Sequence, residues 1–175
     1  MKRVLALILA LFTLAATLTS CAEEAEYENV EYKENGLYFI LPNTMRRKSS
    51  GYYEFYFSNE LMGVVFSAKK ITSEILEDEN IDTKVNAKEY VDIIFERRGL
   101  DREKAFYTYF EDSDQHNFRY TFVDEDESET FFYVTVTGEN ENLWYIEMYC
   151  KEEESVDNLN MFEKWRKTIG TYQEG

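Results

Sequence analysis

Three stretches in the second half of the chain alternate bulky apolar with polar side chains at a period of two, and they constrain the fold more than any other feature. Phe118, Tyr120 and Phe122 share a face of the first; Phe132, Val134 and Val136 share one of the second; Trp144, Ile146, Met148 and Cys150 share one of the third. A period of two belongs to strands. The connections Asp124–Ser128 and Gly138–Asn142 are five residues each, too short for the crossover that parallel strands require. A further strand is expected over Ala105–Phe110, joined through Asp112–Gln115. The second half is therefore expected to be an antiparallel meander of four strands over Ala105–Phe110, Asn117–Val123, Thr130–Thr137 and Leu143–Cys150.

Upstream, Leu37–Leu41 reads as a strand stopped by Pro42-Asn43. Tyr52–Ser58 is expected to pair with Val64–Lys69 as a hairpin, with Tyr53, Phe55 and Phe57 on one face and Tyr52, Glu54 and Tyr56 on the other. Residues 70–84 are polar and acidic and read as a surface connection. Ala87, Tyr90, Val91, Ile94 and Phe95 recur at helical spacing after Asn86, and Gly99 follows the basic pair Arg97-Arg98, which suits the negative end of a helix dipole. Ser155 is expected to cap a last helix whose apolar stripe is Val156, Leu159, Phe162, Trp165 and Ile169, closed by Gly170. The fold class is α+β, an antiparallel β-sheet meander with helices packed on it.

The first 20 residues read as an export signal. Met1-Lys2-Arg3 is a short positive segment, and the uncharged run Val4–Leu18 follows. As a helix that run would cover ~22 Å, short of the ~30 Å of a bilayer's hydrocarbon. It ends at Leu18-Thr19-Ser20-Cys21, which resembles the lipobox of bacterial lipoproteins. That resemblance implies cleavage before Cys21 and a diacylglyceryl thioether on its sulfur, with two or more acyl chains giving stable attachment. The expected organisation is a signal peptide over 1–20, an acidic tether over 21–34 rich in glutamate, and one domain over 35–172.

Removing residues 1–20 takes away Lys2 and Arg3 and no acid, so the net charge of −16 becomes −18. Such a surface repels nucleic-acid phosphate, and no nucleic-acid partner is expected. Of the two cysteines, Cys21 is assigned to lipid, which leaves Cys150 as a buried core residue without a partner in the chain.

Catalytic and metal-binding patterns are sparse. His116 is the single histidine, and its place beside Asp112 and Asp114 marks it as a surface residue at a turn. There is no nucleophile elbow, no phosphate-binding glycine loop and no Cys-x-x-Cys. The run Asp124–Glu129 offers oxygen ligands, but Glu129 and Thr135 stand where a calcium loop needs glycine and a bidentate glutamate; it reads as a hairpin turn. No catalytic residue, metal or cofactor is expected. The abundant tyrosines supply the one candidate surface. Tyr52, Tyr56, Tyr107, Tyr109, Tyr133, Tyr145 and Tyr149 are expected opposite the more apolar face, either exposed for a sugar, peptide or protein, or covered by a helix as a second core.

The segment Gly36-Leu37-Tyr38-Phe39-Ile40-Leu41-Pro42 resembles the opening of PsbP-like and Mog-type domains. The ending is similar too, with the strand Trp144-Tyr145-Ile146, then Phe162 in a helix and Lys167-Thr168-Ile169. The resemblance covers roughly residues 35–170 and implies an α-β-α sandwich around an antiparallel sheet, in a class whose relatives are non-catalytic accessory or binding proteins. It carries no functional residue onto this chain. The expected function is a lipid-anchored, extracytoplasmic binding or accessory module in the cell membrane or outer membrane, with a protein or glycan partner in the envelope. A carboxylate-based hydrolase and a structural subunit of an envelope complex are the alternatives.

Overall fold

The computed structural model describes residues 28–173. The expected signal peptide, Cys21 and the first part of the expected tether lie outside the described residues.

The chain forms β1 (Asn29–Glu34), β2 (Leu37–Pro42), β3 (Arg46–Arg47), β4 (Phe55–Asn59), β5 (Val64–Ile71), α1 (Ser73–Asp78) and α2 (Ala87–Arg98). It continues through β6 (Thr108–Phe110), β7 (Gln115–Val123), β8 (Glu129–Thr137), β9 (Leu143–Lys151), α3 (Ser155–Arg166) and β10 (Gly170–Thr171). The main sheet has seven strands in the order β3-β4-β5-β9-β8-β7-β6, and every pairing is antiparallel. Two consecutive runs, β3–β5 and β6–β9, meet where β5 pairs with β9. A small sheet, β1-β2-β10, packs with α3 on one face, and α2 packs on the other. The α+β architecture with an antiparallel meander and packed helices is the one the sequence predicts.

Each face of the main sheet carries its own core. On the first, Phe39 of β2 stacks on Phe66 at 4.7 Å and meets Phe55 edge-on at 5.2 Å, above Trp144, Ile146 and Met148. Phe162, Trp165 and Ile169 close this core from α3 and the turn after it. On the second face, Val91, Ile94 and Phe95 of α2 pack on Phe118, Val134, Val136 and Leu143. Leu37, Phe39, Phe55, Phe57, Phe66 and Trp144 have no exposed surface.

The termini of α2 explain what it covers. Asn86 Oδ1 accepts from the Glu89 backbone N–H at 3.0 Å, and Glu89 Oε2 accepts from the Asn86 N–H at 3.0 Å, a closed capping box. Gly99, at φ 62°, ends the helix in the left-handed region that a side chain resists. Twelve residues give a helix of ~18 Å, whereas the nine-residue strands β7 and β8 extend ~30 Å. The helix is therefore shorter than the strands beneath it, and Tyr120, Phe132 and Tyr149 on this face stay half-exposed.

Several expectations are corrected. Residues 29–34 are not tether: β1 pairs with β2 from Asn29↔Pro42 to Glu34↔Leu37. The connecting residues Asn35 and Gly36 both have positive φ, 54° and 86°, as a two-residue hairpin turn of the primed type requires. Tyr32 points inward, 5.1 Å from Phe39, while the strand's carboxylates point to solvent. The presumed surface connection over 70–84 contains α1, capped by Thr72 and anchored by the buried Leu76. The strand expected over Ala105–Phe110 covers only Thr108–Phe110, since Phe106 takes φ 47°. Tyr53 precedes β4 and does not share the face of Phe55 and Phe57. In α3 the stripe is rotated: Val156 is 82% exposed, and Ser155 and Asn158 are buried instead. Ser155 is the first helical residue, not a cap; its hydroxyl bonds Glu152 at 3.3 Å.

Because β1 is a paired strand, a chain beginning at residue 35 should be less stable than one beginning at 28. Loss of Tyr32 burial alone should cost ~2 kcal/mol. Denaturant unfolding of the two forms measures this, and equal stability would return residues 29–34 to the tether.

Candidate functional site: the open aromatic groove

Beyond the last turn of α2 the second face of the main sheet is open. The alternation of β7, β8 and β9 continues there and, in register, brings Tyr120 opposite Phe132 and Phe132 opposite Tyr149. The rings form a row, Tyr120 to Phe132 at 4.9 Å and 5° between planes, Phe132 to Tyr149 at 5.2 Å. Tyr149 Oη lies 3.2 Å from Tyr56 Oη on β4. Tyr120, Phe132 and Tyr149, together with Tyr53, Arg98 and Glu147, line a groove of ≈ 670 Å³, within the ~300–1,000 Å³ typical of ligand sites. Phe122, 56% exposed, stands at its mouth.

The floor is polar. Glu147 is only 5% exposed, and its carboxylate accepts hydrogen bonds from Tyr53 Oη at 2.9 Å and Tyr145 Oη at 2.5 Å. A buried carboxylate requires such partners, and each hydrogen bond to a charged group contributes ~1.5–3 kcal/mol. Arg98, half-exposed at the end of α2, brings Nη2 to 3.7 Å from Glu147 Oε1, longer than a charge-assisted hydrogen bond. Its guanidinium carbon lies 5.1 Å from the Tyr120 ring centre and 5.9 Å from that of Tyr145. Burial, and then the Glu147 carboxylate, push the Tyr53 and Tyr145 hydroxyls above the ordinary phenol range. Burial, followed by the hydrogen bond it shares with Tyr56, does the same to Tyr149. These phenols are protonated at neutral pH.

The seven tyrosines expected on one face divide among three places. Tyr149 lines the groove with Tyr56 hydrogen-bonded to it, Tyr145 lies under the groove floor against Tyr90 of α2, and Tyr52 sits at the edge, its ring 4.9 Å from Tyr53. Tyr133 is on the opposite face, buried beneath Phe162 of α3. Its parity is that of Met148, its partner on β9, which period-two alternation within one strand does not reveal. Tyr107 and Tyr109 are at the far end of the sheet beside His116. Sequence reasoning missed Tyr53, Arg98, Tyr120, Phe132 and Glu147 as a group. Arg98 was visible only as a helix-terminal charge, and Glu147 only as one glutamate among many.

His116 is also corrected, since it is buried at 5% exposure. Tyr107 Oη is 2.8 Å from its Nδ1, and the Tyr109 ring stacks on the imidazole at 4.6 Å. A cavity of ≈ 460 Å³ opens here, with Lys88 and Asp114 on its wall. Cys150 is 2% exposed and a free thiol, and burial raises its pKa to about 11, so it stays protonated and unreactive. The acidic run Asp124–Glu129 joins β7 to β8. Its carboxylates bond their own turn, Ser128 Oγ donating to Asp124 Oδ2 at 2.8 Å and the Asp126 N–H to Asp124 Oδ1 at 3.0 Å.

No protein-family model matches the chain, and no curated protein matches it by sequence. Solved structures do share its fold. The cyanobacterial PsbP protein CyanoP from Synechocystis sp. PCC 6803 superimposes with a TM-score of 0.56 at 14% identity, covering 89% of this chain and 99% of that one. A protein from Bacteroides thetaiotaomicron VPI-5482 gives 0.51 at 13% identity, over 85% of this chain and 50% of its own. The Saccharomyces cerevisiae Ran-binding protein Mog1p gives 0.47 at 8% identity, over 83% and 96%. The likeness to CyanoP shows that the chain has a PsbP-like α+β fold.

Burial chiefly lowers the pKa of His116, and Asp114 opposes it by raising the value. The unfolded state, with a histidine pKa of ~6.5, therefore takes the proton first. His116 contributes stability that is present above pH ~6.5 and lost as pH falls through its folded value. Melting temperature should drop between pH 7.5 and 5.5 more steeply in the wild type than in His116→Gln. Parallel profiles would contradict this reading.

Proposed function

We propose that this protein is a bacterial lipoprotein, anchored through Cys21 outside the cytoplasm, whose domain is a non-catalytic binding module presenting the aromatic groove to a partner. The observation that carries the binding role is the uncovered part of the sheet face. Phe122 is exposed and Tyr120, Phe132 and Tyr149 are half-exposed, a run of aromatic surface of the kind that marks an interaction site. A hydrolase would need a second carboxylate converging on the reacting bond. Among the groove's lining residues Glu147 is the one carboxylate, and Tyr53 and Tyr145 each donate to one of its oxygens, which holds it in place as a recognition charge with acceptor sites to spare.

Anchoring is supported by Leu18-Thr19-Ser20-Cys21 at the end of the uncharged run Val4–Leu18. Glu28 is seven residues beyond Cys21, a reach of at most ~25 Å. The reading therefore holds the groove close to a membrane, where an envelope partner or an assembled complex would meet it.

Cys21→Ala should release the protein from membranes or leave an uncleaved precursor, read by fractionation and mass spectrometry. A cleaved Cys21→Ala protein that still requires detergent would refute lipidation. Phe122→Ala tests the groove, because an exposed ring costs little to remove, below ~1 kcal/mol. It should abolish partner crosslinking in intact cells while the melting temperature holds. Undiminished crosslinking would remove the groove from the binding surface.

A further inference from the structure

The groove already holds a cation, and that cation belongs to the chain itself. Arg98 lies against the rings of Tyr120 and Tyr145, the arrangement in which a guanidinium is attracted by aromatic quadrupoles. Its charge partner, Glu147, is nine-tenths buried, faces the groove, and is held still by two phenol donors. Yet the contact is loose. A guanidinium matched to a carboxylate closes to ~2.7–2.9 Å, often through two parallel bonds, whereas Nη2 remains 3.7 Å away. Arg98 is tied to the last turn of α2, immediately before Gly99, and reaches the carboxylate from the side. A guanidinium entering through the open mouth has no such restraint.

Two further observations bear on the ligand. The rings of Tyr120 and Phe132 are turned on each other, 5° from parallel, so the groove presents ring edges more than the broad flat platform on which a sugar would stack. The chain also carries a net charge of −16, which steers cations toward it and repels anions. We propose that the groove binds the arginine side chain of a basic polypeptide segment, with Arg98 as the resident competitor that such a side chain displaces. A polypeptide fits better than a free guanidinium compound, because the ≈ 670 Å³ groove continues past Glu147 along Phe132 to Phe122, where residues flanking the arginine would lie. The proposal rests on the groove being the binding surface.

The test is calorimetric titration of the mature protein, beginning at Cys21 and lipidated there, in non-ionic detergent with the blocked peptide acetyl-Ala-Val-Arg-Val-Ala-amide. Its citrulline counterpart, which keeps the shape and loses the charge, and free argininamide are the comparisons. The arginine peptide should bind at least tenfold more tightly than either. Arg98→Gln should tighten it further, on the order of tenfold, by removing the competitor, and Glu147→Gln should erase the preference over citrulline. Arg98 is half-exposed, so its variant keeps the fold, which the melting temperature verifies, and it carries the test even where Glu147→Gln does not fold. Weaker or unchanged binding in Arg98→Gln overturns the proposal, as does absence of binding by the arginine peptide. Argininamide binding as tightly as the peptide overturns the polypeptide as the source. Equal binding of the arginine and citrulline peptides, lost in Phe132→Ala, overturns the cation chemistry while leaving the groove as the binding surface. Arginine-peptide binding that Phe132→Ala leaves untouched overturns both.

Discussion

The pairing of β5 with β9 is the interaction on which everything else depends. It runs from Val65↔Tyr149 to Ile71↔Leu143 and joins two runs of consecutive strands that would otherwise be separate small sheets. Isolated meanders of three or four strands have one face to bury and few residues with which to bury it. Joined, they form a seven-stranded surface wide enough for two cores. The register also sets the chemistry. It brings Ala68 opposite Ile146 over the first core, and Ser67 opposite Glu147 on the second face. A slip of one residue would turn Glu147 into the aromatic core and Trp144 out of it.

The same register leaves the sheet with an unequal covering. The first face is closed along its length by α3 and the small sheet, and its aromatic residues are almost wholly buried. The second is closed by α2, with Leu76 of α1 and Val85 beside it, over part of its length. The Gly99 stop and the Asn86 cap fix α2 at twelve residues. What remains open is a row of rings beside a buried charge, a costly arrangement for stability alone. A buried carboxylate contributes less to stability than an apolar residue of similar volume in the same place. Its retention at an open groove, bonded by two phenols, fits a recognition role. That is the physical basis of the proposal that the domain is a binding module.

How much of this was legible in the sequence follows from what alternation encodes. Period two placed Phe118, Phe132 and Trp144 on strands, and the helical spacing of Tyr90, Val91, Ile94 and Phe95 placed α2, because both patterns are local. The Asn35-Gly36 pair is a hairpin-turn sequence that went unread, because the charges of Glu31, Lys33 and Glu34 disguised the edge strand before it as a tether. Alternation does not state which parity of one strand lies against which parity of the next. Tyr133 and Tyr145 therefore looked alike in sequence, although inter-strand register puts them on opposite faces. Glu147 was hidden for the same reason: its partners Tyr53 and Arg98 lie 94 and 49 residues away in the chain, brought in by non-local pairing.

The central claim is that the uncovered part of the second face is occupied in the cell. Hydroxyl-radical footprinting of the protein in its native membranes, compared with purified protein in detergent, measures this directly. The account predicts protection of Tyr120, Phe122, Phe132 and Tyr149 in membranes, while Phe106 and Tyr109, exposed elsewhere on the domain, are labelled equally in both. Equal labelling of the groove residues in the two preparations would contradict it.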